Sequence, residues 1–371
     1  MTNKLRFILL LSMFMMAEYS KAQDSDFWIF LCFGQSNMAG SAPIEKQDSV
    51  VPEGFLSMSA VNGTDGRHIG EWRRAIPPLC RQDSHLSPVD YFGREVLKRA
   101  PKGTRIGVVH VAVEGCPIDF FDKDGYSKAM ENEKRDWMNN ILNQYDRNPY
   151  KRLVDMARLA QKEGVVKGIL LHQGETDAYN ADWQRKVHKI YKDLQQDLGL
   201  DSFSVPMLVG EVVRSEYNGV CANANKTIDD IVNHYHNIYV VSSEGCLPGA
   251  DNVHFSSEGY RELGRRYAER FMDRQMERPM SGRSESKETS VIGSTLAIEA
   301  SLDEQGNLVA TANEPLVQVD IVSYSGNTIK TIPVDSQAEV TVNMAELPDE
   351  TLIFVFKSVS GETNTLQLSS E

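Results

Sequence analysis

The sequence predicts a three-layer α/β fold on a parallel sheet, followed by a small all-β module. Three observations predict it: apolar runs alternating with amphipathic stretches between residues 26 and 275, a polar break at 276–290, and apolar–polar alternation from 291 on. The 371 residues leave room for both parts, since a domain takes about 150 residues. Hydrophobic residues at 41% and charged residues at 25% are the proportions of a folded globular protein. Thirty-nine basic against 52 acidic side chains give a net charge of -13, a field that opposes nucleic acid.

Residues 1–22 place Lys4 and Arg6 ahead of an apolar run from Phe7 to Ala17 and end in the small-x-small pattern Ser20-Lys21-Ala22. This order is that of a secretory signal peptide cleaved near Ala22, which predicts a periplasmic or secreted protein. The run falls short of the roughly 20 residues a bilayer-spanning helix needs, and no later stretch is long enough, so no membrane span is expected in the mature chain. Cys32, Cys80, Cys116, Cys221 and Cys246 form an odd set. At least one thiol therefore stays free or pairs between chains; Cys221 and Cys246 could join two loops, and the pairing is open. No CxxC occurs, so neither a redox pair nor a thiolate zinc site is indicated.

Residues 23–275 read as the first domain. The runs Phe27–Phe33, Arg105–Val113, Val165–Leu171, Val205–Val212 and Ile238–Ser242 are mostly apolar at successive positions, as strands covered on both faces require. Helical patterns lie at Tyr150–Glu163, Asp182–Leu198, Ala222–His234 and Ser256–Arg274. Residues 276–290, MERPMSGRSESKETS, are nearly devoid of apolar side chains and read as a linker. From 291 to 371, stretches such as LVQVDIVSY and TLIFVFKSV alternate, with turn signals at Ser325-Gly326-Asn327 and Ser360-Gly361, and predict a β-sandwich-like module.

Ligands of open α/β sheets bind beyond the carboxyl ends of the strands, so the loops there are the place to look for chemistry. Gly34-Gln35-Ser36-Asn37-Met38 follows the first strand. A serine at such a turn can raise its hydroxyl over the sheet edge, or simply cap a helix. Met38 stands where the α/β-hydrolase elbow has its second glycine. Asp251-Asn252-Val253-His254 precedes the last helix, and an Asp three residues before a His can hold one ring nitrogen while the other acts as base. Alternatively Ser256 or Ser257 caps that helix and His254 is incidental. Glu114-Gly115-Cys116-Pro117 and His172-Gln173-Gly174-Glu175-Thr176-Asp177 follow two further strands. An oxyanion needs donors, which the Gly115 N–H and the Gln173 amide can provide. Gln35 and Glu175 are supporting candidates. A metal reading of His172, Glu175 and Asp177 competes with the simpler one in which loop carboxylates brace the backbone, and no metal is expected. His234-Tyr235-His236 reads as surface.

These blocks resemble those of the sialate O-acetylesterase and acetylxylan esterase branch of the SGNH (GDSL-like) hydrolases, as in carbohydrate esterase family six. The resemblance rests on Gly34 to Met38, His172 to Asp177 and Asp251 to Phe255, and covers about residues 26–275. It implies a flavodoxin-like three-layer fold with Ser36 as nucleophile, His254 as base and Asp251 as its partner. It also implies an oxyanion hole of the Ser36 and Gly115 N–H groups and the Gln173 side chain. The superfamily at large has Asn at the last place, and a Gly-Gly pair is expected where this chain reads Val113-Glu114-Gly115-Cys116-Pro117. The expected activity is a carbohydrate O-acetylesterase that frees acetate from acetylated oligo- or polysaccharides through an acyl-enzyme, without cofactor. Acetylxylan-type glycans lead as substrates. O-acetylated sialic acid is the alternative, and a non-catalytic carbohydrate-binding or adhesion protein is the rival from another class. The oligomeric state is open.

Overall fold

The computed structural model describes residues 23–201, 204–235, 237–276, 296–303, 306–323, 328–348 and 352–368. The segment read as a signal peptide, the part of the expected linker from residue 277 on and the turn expected at 325–327 lie outside the described residues; Met276 closes the last helix. Two compact units divide the chain, Met1–Arg278 and Pro279–Glu371.

The first unit is built on a seven-stranded sheet. Its strands are β1 (Asp24–Gly34), β2 (Phe55–Met58), β3 (Trp72–Arg74), β4 (Arg105–Ala112), β5 (Gly164–His172), β6 (Met207–Gly210) and β7 (Ile238–Val241). Their order is β3-β2-β4-β1-β5-β6-β7, parallel throughout except for the β2–β3 pair at the edge. The five apolar runs are β1, β4, β5, β6 and β7. The run at 205–212 is a strand only over Met207–Gly210, because the chain then turns out and buried Glu211 accepts the Ser243 N–H at 2.6 Å.

Alternation along β1 shows why the runs are apolar at successive positions. Ile29, Leu31 and Phe33 enter one core with Leu153 and Ala157 of helix α5 (Pro149–Ala160) and Val187 and Tyr191 of helix α6 (Trp183–Leu198). Phe30 and Cys32 enter the other core, with Val89, Phe92 and Val96 of helix α2 (Pro88–Arg99) and Tyr260, Leu263 and Phe271 of helix α8 (Ser257–Met276). Each Val, Leu, Ile or Phe side chain among these contributes about 1.5–3 kcal/mol when taken from water. Helix α2 starts where Ser87, Pro88 and Asp90 supply its capping signals: Asp90 accepts from the Ser87 N–H at 2.9 Å and from its hydroxyl at 2.8 Å. The remaining helices are α1 (Ser36–Ala39), α3 (Tyr126–Met130), α4 (Asp136–Gln144) and α7 (Asn223–Asp230).

The second unit is one antiparallel sheet of β8 (Ile298–Leu302), β9 (Leu308–Ser323), β10 (Thr328–Val342), β11 (Leu352–Ser358) and β12 (Thr363–Leu368). Strand β9 pairs with β8 over its first half and with β11 over its second. Its buried positions run Leu308, Ala310, Ala312 and Leu316, then change parity to Val319 and Ile321. A register shift against β10 lies at that change, and residues from both halves share one apolar cluster with Phe354 and Phe356. Where the alternation suggested a sandwich, the strands form a single continuous sheet.

Candidate active site

The candidate residues collect at the carboxyl ends of β1, β4 and β5 and on the loop before α8. Strand β1 ends at Gly34, whose φ is +150° and whose place admits no side chain: a Cβ there would stand 2.0 Å from the His172 carbonyl oxygen. The chain then turns into the single-turn helix α1, with Ser36 its first residue. From the other side, the loop at 248–255 closes on itself through Gly249 N–H to the His254 carbonyl at 2.7 Å and a bridge between Pro248 and Phe255.

The two loops meet. His254 Nε2 lies 2.8 Å from Ser36 Oγ, and His254 Nδ1 lies 2.6 Å from Asp251 Oδ2. The second carboxylate oxygen accepts the backbone N–H groups of Val253 at 3.0 Å and His254 at 2.9 Å. Partial burial opposes ionisation of Asp251, but these bonds and the imidazole outweigh it and hold the carboxyl at about 2. An ionised Asp251 accepts, so Nδ1 carries the proton and Nε2 offers its lone pair to the Ser36 hydroxyl. Ser256 does cap α8, accepting the Gly259 N–H at 3.1 Å, so capping and the His254 contact coexist.

Asn37, which the sequence reading assigned no role, ties these loops together. Its Nδ2 donates to Glu175 Oε1 at 2.5 Å and to the Val253 carbonyl at 2.9 Å. Its Oδ1 accepts the Tyr260 hydroxyl at 2.6 Å and the Phe255 N–H at 3.3 Å. Glu175 is buried and 3.6 Å from His172 Nε2. Burial pushes its carboxyl up, yet His172 and Asn37 bring it below its ordinary value. Only the chain fold could reveal this hub, since its partners lie more than a hundred residues away in sequence.

Gln173 requires a correction. Its side chain is 0% exposed, and Oε1 accepts the Trp183 indole N–H at 2.5 Å. Because an indole only donates, this fixes the amide's orientation. Nε2 then faces three acceptors: Asp177 Oδ2 at 2.5 Å, Gln35 Oε1 at 3.1 Å and the Cys116 carbonyl at 3.3 Å. The amide is spent in the wall behind the site. Gln35 is the reverse case, with Oε1 also held by the Thr176 N–H at 3.2 Å and Nε2 without an acceptor among the described residues. Gly115, at φ +61°, sits on a turn tied to Gly34 by the Val113 N–H at 3.0 Å. Neither the Ser36 nor the Gly115 N–H has an acceptor among the described residues.

Of the three residues weighed as a metal set, His172 and Glu175 face each other at 3.6 Å, with His172 Nδ1 turned to the Tyr267 hydroxyl at 3.3 Å and Glu175 also bound by Asn37, while Asp177 turns to Gln173 and the Ile118 N–H at 2.8 Å. One cluster among the described residues has metal-like spacing, Asp122, Asp124 and Asp193, and Lys189 Nζ bridges all three at 2.7–2.8 Å. His234 is exposed and bound to Asp230, while His236 lies outside the described residues. All five cysteines are free thiols.

Over residues 26–273 the sequence matches the family described as carbohydrate esterase, sialic acid-specific acetylesterase. The chain belongs to that family. This carbohydrate esterase is similar in fold to a protein from Arabidopsis thaliana, 21% identical with a TM-score of 0.50, over 66% of this chain and 98% of that one. It is likewise similar in fold to NanS, 16% identical with a TM-score of 0.50, over 69% of this chain and 99% of that one. Beside the esterase's His254 and Asp251 opens a cavity of about 730 Å³, lined also by Ser41, Pro43, Leu247 and Arg261. Among the described residues no helix is long and apolar enough to cross a membrane.

Proposed function

We propose that this esterase releases acetate from O-acetylated glycans through an acyl-enzyme on Ser36. The observation that carries the reading is the line from Asp251 through His254 to Ser36 Oγ, with heavy-atom separations of 2.6 and 2.8 Å. His254 Nε2 takes the hydroxyl proton as Oγ attacks the acetyl carbonyl. The proton then passes to the leaving sugar oxygen, and water repeats the sequence to free acetate. The unpaired Ser36 and Gly115 N–H groups are assigned to the oxyanion, with Gln35 Nε2 as the side-chain donor in place of Gln173. Ser36→Ala should fold with an unchanged melting temperature and lose acetate release by at least about 10³-fold. Full activity in that variant would remove Ser36 from the mechanism.

A neutral glycan of the acetylxylan type fits the charges better than an acidic one. Arg261, which lines the cavity, is held by Glu45 at 2.7 Å and Asp48 at 2.9 Å, and Arg135 beside Gly115 is held by Glu133 at 2.5 Å. Asp251, Glu45 and Glu258 line the same cavity and oppose a sugar carboxylate. O-acetylated sialic acid remains the second reading, favoured by the family's description. Acetate release from acetylated xylo-oligosaccharides and from O-acetylated sialic acid, compared at equal enzyme, decides between them. We further infer that residues 1–22 direct export; a mature amino terminus at Gln23 in the exported protein is the expected result, and an intact Met1 there would refute it.

A further inference from the structure

Single exposed apolar side chains are ordinary on a protein surface. Trp137 differs in how and where it is held. It stands in the first turn of α4, next to buried Met138, and is itself 48% exposed. Its ring atom Cη2 lies 3.2 Å from where a Cβ on Gly115 would be, so the tip of the indole rests on the turn that follows β4. That turn is bound to Gly34 by the Val113 N–H at 3.0 Å, and Gln173 links Cys116 to Gln35 at 3.3 and 3.1 Å. Trp137 is thus braced against a turn that is tied to Gly34 and Gln35, the two residues before Ser36. The guanidinium of Arg135 lies over the ring, 5.4 Å from its centroid. Glu133 occupies Arg135 Nε and Nη2, at 2.8 and 2.5 Å. Nη1 has no acceptor among the described residues and lies 3.7 Å from the same Cβ position on Gly115.

We propose that Trp137 is the glycan platform of this site: the apolar face of a neutral pyranose stacks on the exposed indole, and a ring hydroxyl accepts from Arg135 Nη1. The proposal rests on the acetylesterase reading above and narrows it to neutral sugars. A pyranose presents a face of C–H groups, which the electron-rich face of an indole attracts while both lose apolar area to water. A tryptophan already held in place gives up little side-chain freedom on binding. The Arg135–Glu133 pair offers a directed N–H without a net charge, which suits a hydroxyl better than a carboxylate.

The test compares wild type, Trp137→Ala and Trp137→Phe on acetylated xylo-oligosaccharides and on 4-nitrophenyl acetate, an ester with no sugar. In Trp137→Ala the ratio of kcat/KM for oligosaccharide over small ester should fall about tenfold, equivalent to ~1.4 kcal/mol, chiefly through KM. Trp137→Phe should recover much of the loss, and melting temperatures should agree. An unchanged ratio overturns the platform. Binding without turnover gives a second reading: calorimetric affinity of a deacetylated xylo-oligosaccharide for Ser36→Ala should weaken about tenfold when Trp137→Ala is added. Equal affinities, or none in Ser36→Ala itself, overturn the platform. Failure of the acetylesterase reading shows separately, as undiminished ester turnover in Ser36→Ala.

Discussion

At the scale of single residues, the site separates groups that face the reaction from groups that hold them. Asp251 fixes the His254 tautomer through one oxygen and the loop through the other, so Asp251→Asn should lower kcat about 10²- to 10⁴-fold with KM little changed. An unaltered kcat would mean that water replaces the carboxylate, whose side chain is 52% exposed. Gln35 and Gln173 should part in opposite directions. Gln173→Ala strips the Trp183 indole N–H and Asp177 of buried partners, at about 1–3 kcal/mol for each group left unpaired. Its melting temperature should therefore drop by several degrees. Gln35→Ala should instead act mainly on kcat, by about 10²- to 10³-fold if Nε2 serves the oxyanion. A stable, fully active Gln35→Ala would leave the two backbone N–H groups as the whole hole.

At the scale of elements, α2 and α8 pack backbone against backbone at Gly264. A Cβ on Gly264 would come within 2.3 Å of the Pro88 carbonyl oxygen, and a backbone atom cannot step aside as a flexible side chain does. Gly264→Ala should thus destabilise by about 1–3 kcal/mol, outweighing the ~1 kcal/mol that alanine offers a helix interior. Thermal unfolding of the variant checks this; a rise in melting temperature would show that the helices can separate. The same elements explain what could be read from the sequence. Strands β1, β4, β5, β6 and β7 announced themselves because burial on both faces demands runs that are mostly apolar at successive positions. Strands β2 and β3 did not: they span four and three residues, and WRR carries no apolar pattern. Ser36, Asp251 and His254 stood out by their place after strands or before the last helix. Gln173 misled because its burial behind Gln35 follows from Trp183, a contact that spacing does not display. Asn37 and Trp137 were missed for the same reason.

At the scale of the whole molecule, two buried groups push stability against pH in opposite directions. Burial takes the His110 imidazole from 6.5 down to about 3, with its bond to the Met38 carbonyl opposing and Arg81 adding to the effect. The unfolded chain binds that proton first as pH falls, so the stability due to neutral His110 is present above about 6.5 and lost on the way to about 3. Burial takes Asp90 from 3.8 up to about 7 against its bonds from Ser87. Here the folded chain holds the proton longer, so stability falls as pH rises from about 4 to about 7. The two trends oppose each other between about pH 4 and 6.5. Asp90→Asn should expose the His110 trend as a melting temperature that climbs with pH across that window; a profile parallel to wild type would refute the assignment. The division into two units carries its own expectation. Proteolysis between residues 278 and 290 should release a fragment that keeps its turnover of 4-nitrophenyl acetate, since every proposed catalytic group lies upstream. An inactive fragment would mean that the second unit supports the first.

Ser36 and His254 lie 218 positions apart, one just after the central strand and the other just before the last helix. During synthesis the serine therefore emerges long before its base exists, and no truncated product ending short of residue 254 can carry out hydrolysis by this route. Loop closure over such a span comes late, because its entropy must be offset by contacts already made. Regain of esterase activity in a refolding experiment would accordingly time the final docking of the α8 segment onto a sheet already assembled, and should lag behind the recovery of helical signal.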